Sequence, residues 1–174
     1  MIYEAQSRLA GVAYRTPFDY LENISRTLDG HLYAKREDLQ AVRSYKLRGA
    51  YIRIAGLPSE SLANGVICAS AGNHAQGVSY ACNRLNIACR IFMPVTTPNQ
   101  KLTQVRFYGN SQAEIILIGD TFDEAYAAAA EEARQTGKPF IHPFDDQSVI
   151  NGQATVALEI RSIRMNPPRS GLSA

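Results

Sequence analysis

The stretch Gly65-Val66-Ile67-Cys68-Ala69-Ser70-Ala71-Gly72-Asn73-His74-Ala75-Gln76-Gly77 decides how this chain folds. Val66 to Ala69 is a short apolar run followed by a turn of small polar residues, and it reads as a strand. From His74 to Asn86 the residues Val78, Ala81, Cys82 and Leu85 fall at i, i+3, i+4 and i+7, one apolar face of a helix. The alternation continues downstream. Cys89-Arg90-Ile91-Phe92-Met93 predicts a second strand, stopped by Pro94, and Pro98 opens a helix over residues 99–108. Glu114-Ile115-Ile116-Leu117-Ile118 predicts a third strand, ended by Gly119-Asp120. Residues 121–136, rich in Ala and Glu, predict a helix that Gly137 stops. Phe140-Ile141-His142 predicts a short fourth strand before Pro143. Strands alternating with helices at this spacing indicate βαβ units. Strand cores without strict polar alternation indicate a sheet covered on both faces. The fold class is therefore α/β, an open parallel sheet with helices on both faces.

Before Gly65 the chain shows one strand, His31-Leu32-Tyr33-Ala34-Lys35, a polar stretch, and a helix from about Lys46 to Ala55. After the sheet, residues 156–164 look helical, and residues 166–174, with two prolines, a glycine and one sizeable apolar residue, read as a disordered tail. The whole chain has 174 residues, with 18 Lys+Arg against 16 Asp+Glu and a net charge of +2. That charge is too small and too evenly spread to make nucleic acid the main partner. No run of ~18 apolar residues is present, so no helix crosses a membrane. The start, Met1-Ile2-Tyr3-Glu4-Ala5-Gln6, has no signal-peptide pattern. Cys68, Cys82 and Cys89 form no CxxC pair. They read as buried thiols of a cytoplasmic protein and give no support to a metal site.

Three segments carry candidate chemistry. In Ser44-Tyr45-Lys46-Leu47-Arg48-Gly49-Ala50 the lysine starts a helix, at the positive end of its dipole, with Tyr45 and Leu47 beside it. That placement favours a neutral, nucleophilic amine, although a solvated surface lysine also fits the heptapeptide. In residues 70–77 a helix start offers free N–H groups to an anion, and Gly72 lets a ligand approach the backbone. Asn73 acting as a plain helix cap fits equally well. Ile141-His142-Pro143-Phe144-Asp145-Asp146 could supply ligands or acid–base groups, and reads first as a polar turn. No Walker A loop, G-x-G-x-x-G, G-x-S-x-G or H-E-x-x-H pattern occurs.

Taken in order, Lys35-Arg36-Glu37-Asp38-Leu39-Gln40, the Ser44 to Ala50 heptapeptide, Ala69 to Gly77, Met93-Pro94 with Thr96-Thr97-Pro98, Gly119-Asp120-Thr121-Phe122-Asp123, and Ile141 to Asp146 resemble the threonine dehydratase (threonine ammonia-lyase) family. These are pyridoxal 5'-phosphate enzymes of the tryptophan-synthase-β fold type. The resemblance implies that Lys46 forms the Schiff base with the cofactor, that Asn73 hydrogen-bonds its phenolic oxygen, and that Tyr45 stands beside it where relatives often carry Phe. It implies that Ser70, Ala71, Gly72, Asn73 and His74 hold the substrate carboxylate. The implied reaction turns L-threonine into 2-oxobutanoate and ammonia, feeding isoleucine synthesis, in an enzyme that is a homo-oligomer when complete. A related serine/threonine dehydratase, a serine racemase, or a non-catalytic α/β binding or assembly module are the alternatives.

The chain also departs from the family pattern. No two glycines are adjacent anywhere, whereas relatives cradle the cofactor phosphate in a run of glycines. The resemblance therefore implies a truncated chain, inactive alone. Residues 1–55 would be an incomplete part of the larger domain, 56–150 the small α/β domain, 151–165 a helix returning toward the larger domain, and 166–174 the tail. On that reading the apolar face of the helix after Lys46 is expected to lie uncovered.

Overall fold

A computed structural model describes residues 1–165. The N-terminal part holds α1 (Ile2–Arg8), β1 (Phe18–Tyr20), α2 (Glu22–Thr27), β2 (Tyr33–Lys35) and α3 (Lys46–Ala55). The rest holds α4 (Ser59–Leu62), β3 (Val66–Ala69), α5 (Asn73–Leu85), β4 (Cys89–Met93), α6 (Asn99–Gly109), β5 (Ala113–Leu117), α7 (Phe122–Thr136) and α8 (Gln147–Met165). Strands β1 and β2 make an antiparallel ribbon, while β3, β4 and β5 make a parallel sheet in that order.

Strands β3 and β4 are buried on both faces, as their apolar residues require, while edge strand β5 is half exposed. Val66, Cys68, Ile91 and Met93 face a core built with α3, α5 and α6. Ile67, Ala69 and Phe92 face Ala125 and Ala129 of α7 on the other side. The three cysteines all lie in the first of these cores, unpaired. Local signals set the helix ends. Thr121 and Glu124 form a capping box at the start of α7, and Gly137 ends it at φ +69.

Three expectations change. The predicted fourth strand shrinks to one bridge, in which Phe140 pairs with Ile67 through Ile67 N–H to Pro139 O (2.9 Å) and Ile141 N–H to Ile67 O (2.8 Å). Pro139 and Pro143 bracket it, and neither has an N–H to continue a ladder. Helix α8 begins at Gln147 rather than Val156, because Asp146 Oδ1 accepts the N–H groups of Ser148 (2.8 Å) and Val149 (3.1 Å). The apolar face of α3 is covered: Leu47, Ala50 and Ile54 are fully buried. Residues 166–174 lie outside the described residues.

Helix α3 is held between α5 and α8 by close backbone contact. A Cβ on Gly77 would come 3.0 Å from Leu47 N, and one on Gly152 would come 2.6 Å from Arg48 O. At 152 only glycine allows such an approach, and at 77 a side chain would have to push α3 aside by a few tenths of an ångström. Between the layers Arg48, 1% exposed, donates to Glu37 (Nε to Oε2, 2.9 Å; Nη2 to Oε1, 2.8 Å), Glu159 (2.6 Å), Thr155 (3.2 Å) and Tyr14 O (3.0 Å). Lys35 pairs with the other oxygen of Glu159 at 2.5 Å. Two cations thus meet two carboxylates. Burial works against charge on Glu37, but bonds from Arg48 and Thr16 outweigh it and hold the carboxyl below its usual range.

Replacing Arg48 by Met should leave Glu37 and Glu159 buried with one cation between them. The expected loss in denaturant-monitored unfolding is about 3–5 kcal/mol. Arg8→Met, which removes a solvent-exposed pair with Glu4, should leave the unfolding midpoint nearly unchanged.

Candidate active site

The chain leaves β3 in one direction, toward β4, while the Phe140 bridge arrives on the other side of β3. This is the point at which strand order reverses, where ligands of open α/β sheets bind at the carboxyl ends of the strands. Residues 70–74 exit β3 here, and residues 141–144 follow the bridge.

Lys46 is the first residue of α3, and its N–H donates to Ser44 Oγ (3.2 Å). Its Nζ donates to Pro143 O at 2.9 Å and lies 5.6 Å from the centre of the Tyr45 ring. Lys46 is therefore not a free surface lysine. Burial holds its ammonium below the usual lysine range, which favours the free amine.

In residues 70–74, Ser70 Oγ accepts Gly72 N–H (3.1 Å), and Gly72, not Asn73, is the N-cap of α5. The Asn73 side chain is exposed and makes no capping bond, so its amide remains available to a ligand. Among the described residues, the N–H groups of Asn73, His74 and Ala75 have no acceptor. A Cβ on Gly72 would meet open space. Half-buried Ala71 adds no polar group to this turn.

His74 turns inward. Its Nε2 lies 2.9 Å from Ile141 O and, facing a carbonyl, carries the hydrogen. Its Nδ1 is buried without a partner. Burial pulls its pKa down to about 4, opposed by the Ile141 bond and helped by the charges of Lys46 and His142. The 141–146 segment is a turn, as its composition suggests. His142 Nδ1 accepts Asp145 N–H (2.7 Å), and Asp146, besides capping α8, pairs with Arg53 (2.7 Å). What the sequence could not show is that carbonyls of this turn, Ile141 O and Pro143 O, receive His74 and Lys46. Every residue has a carbonyl, so no side-chain pattern signals this use.

The family model for pyridoxal-phosphate dependent enzymes matches residues 9–169. The chain belongs to this family. The chain is 54% identical over 159 residues to the L-threonine dehydratase biosynthetic IlvA of Lactococcus lactis subsp. lactis (strain IL1403), and 50% identical to that of Bacillus subtilis (strain 168). Each match covers 91% of this chain, which spans 38% of either relative's length. Among solved structures, the processed form of threonine deaminase isoform 2 from Solanum lycopersicum superposes with a TM-score of 0.83 at 43% identity. It covers 92% of this chain, and 45% of that chain is matched. Maize serine racemase gives 0.86 at 32% identity, over 95% of this chain and 49% of its own. The pyridoxal-phosphate family thus accounts for the sheet and for the helices that flank it.

The burial of neutral His74 has a measurable sign. Its folded pKa lies below the free value of 6.5, so the unfolded chain takes up the proton first. The His74 contribution is complete above pH 6.5 and drains away as pH falls to about 4. Across that window the stability advantage of the parent chain over His74→Gln should shrink by about 3 kcal/mol, as read from denaturation at a series of pH values.

Proposed function

We propose that this chain works within a pyridoxal-phosphate threonine ammonia-lyase, which converts L-threonine to 2-oxobutanoate and ammonia for isoleucine synthesis. The observation that carries the reading is the half-buried Lys46 amine, held to Pro143 O at the sheet's switch point. It lies on the helix that packs against α5, whose first N–H groups are free. The names of the relatives supply the substrate. When bound, pyridoxal phosphate supplies an electron sink for the charge left on the substrate Cα.

The chain's own groups divide the remaining work. Lys46 holds the cofactor and takes the Cα proton, for which an amine below the ordinary lysine range is suited. The N–H groups at the start of α5, in residues 70–74, receive the substrate carboxylate. Asn73, free of capping duty, would donate to the phenolic oxygen of the cofactor. Tyr45 places a ring beside the amine. Loss of hydroxide from Cβ balances loss of the Cα proton, and water then releases ammonia and leaves the 2-oxo acid. The residues present fit the ring end of the cofactor. A phosphate cradle of clustered glycine amides is not among them, since all glycines here stand singly.

The same reading assigns residues 1–55 to the larger domain of such an enzyme, 56–150 to the smaller one, and 151–165 to a helix that returns to the larger; α8 does pack on α1 and α3. It places the protein in the cytoplasm, where three unpaired buried thiols are at home, and takes the complete enzyme to be a homo-oligomer.

With excess pyridoxal phosphate and borohydride, Lys46 should be marked ahead of Lys35, Lys101 and Lys138 on peptide mapping. Faster labelling of any of those three would overturn the assignment. Asn73→Ala should change the absorption of the bound cofactor while costing less than the ~1 kcal/mol of a lost cap, because no cap is lost. Assayed alone for 2-oxobutanoate with saturating cofactor and threonine, the 174-residue chain should turn over far below ~1 per second.

A further inference from the structure

We propose that the His74 side chain is a positioning residue, a latch that fixes the 141–143 segment, and through Pro143 O the Lys46 amine, to the start of α5. The inference rests on the reading of Lys46 as the working amine. Two carbonyls two residues apart carry it: Ile141 O lies 2.9 Å from His74 Nε2, and Pro143 O lies 2.9 Å from Lys46 Nζ.

The two sides of Pro143 are held unequally. Downstream, His142 Nδ1 gathers the N–H groups of Phe144 and Asp145, and Asp146 both caps α8 and pairs with Arg53. Upstream, the sheet offers a bridge of one residue, with prolines on either side removing the amides that would lengthen it. Ile141 spends its N–H on Ile67 O and its carbonyl on His74. Without the imidazole, the upstream anchor is the bridge alone.

The latch itself is rigid. His74 is 3% exposed and occupies the second position of α5, so its backbone belongs to the turn with the free amides while its ring reaches the turn that holds Lys46. One residue therefore sets the distance between an amine that acts at Cα and the amides that would take the carboxylate attached to that carbon. The ring makes no claim on the substrate. Its Nε2 hydrogen is committed, and its Nδ1 is closed off from solvent.

The chemistry specifies which replacement works. Gln can place an N–H near the position of Nε2, whereas Asn places one near Nδ1 and falls short of Ile141 O. The test labels the 174-residue parent chain, His74→Gln, His74→Asn and His74→Leu with trace acetic anhydride across the amine titration range. Peptide mapping then gives a titration midpoint for each lysine. Since burial lowers the Lys46 midpoint, slackening the 141–143 segment and admitting water should raise it measurably above the parental value in the Asn and Leu variants. Gln should keep the parental value, and Lys101 and Lys138 should not move in any variant. The latch is overturned if Gln and Asn behave alike, or if Leu leaves Lys46 unmoved. Should Leu unfold, which would bring all four lysines onto one curve, the Gln–Asn comparison decides. Cofactor labelling of the parent is read separately. A label on another lysine removes Lys46 from catalysis without touching the midpoints, whereas unmoved midpoints with the label on Lys46 remove the latch alone.

Discussion

Arg48 stands at the centre of the molecule, and the carboxylates that neutralise it come from distant parts of the chain, Glu37 before α3 and Glu159 near the end of α8. A buried guanidinium is tolerated only when its donors are filled, so these elements must all be present and in register. The glycine contacts on either side of α3 tighten the constraint, because the backbones of α5 and α8 touch it with no side chain between. The helix cannot slide or roll. Its first residue is Lys46, and the position of that amine is inherited from a charge cluster half a turn further along.

The same economy shapes the surroundings of the amine. A carboxylate beside Lys46 would stabilise the ammonium and push the pKa up. Of the two acidic residues of the adjacent turn, Asp145 is exposed, and Asp146 is turned to Arg53 and to the N–H groups of α8. What faces Lys46 is instead a neutral carbonyl and an aromatic ring. Burial alone then lowers the pKa. The sequence points to the helix dipole together with Tyr45 and Leu47 beside the lysine, and burial is the part of that reading the structure supports.

Much of the fold could be read from residue order. The bounds of β3 and β4 and the ends of α3 and α7 follow from apolar runs, from Pro and Gly, and from one capping box. The misses have physical reasons. α1, β1, α2 and α4 have between 3 and 7 residues, too few to show a period. The start of α8 depends on the Asp146 side chain folding back, and the fourth strand fails because two prolines remove its donors. Within the site, Lys46 and Asn73 stand out by residue type and motif. Whether Asn73 capped α5 could not be told from the sequence, because its side chain suits either task and only the backbone geometry at Gly72 decides.

The long reach of these contacts bears on how the protein is made. Glu159 lies 111 residues from Arg48, and Pro143 lies 97 from Lys46. On a ribosome, the β3–β4–β5 layers can close while the chain is still emerging, since their neighbours are close in sequence. The seat of α3 is completed later, because α8, one of the two helices packed on it, lies downstream of the sheet. Until residues 155 and 159 are free of the exit tunnel, Arg48 lacks its Thr155 and Glu159 acceptors, and until residue 143 is free Lys46 lacks the Pro143 carbonyl. The setting of the Lys46 amine thus waits on chain made long after the lysine itself, when residues 141–143 reach β3 and the start of α5.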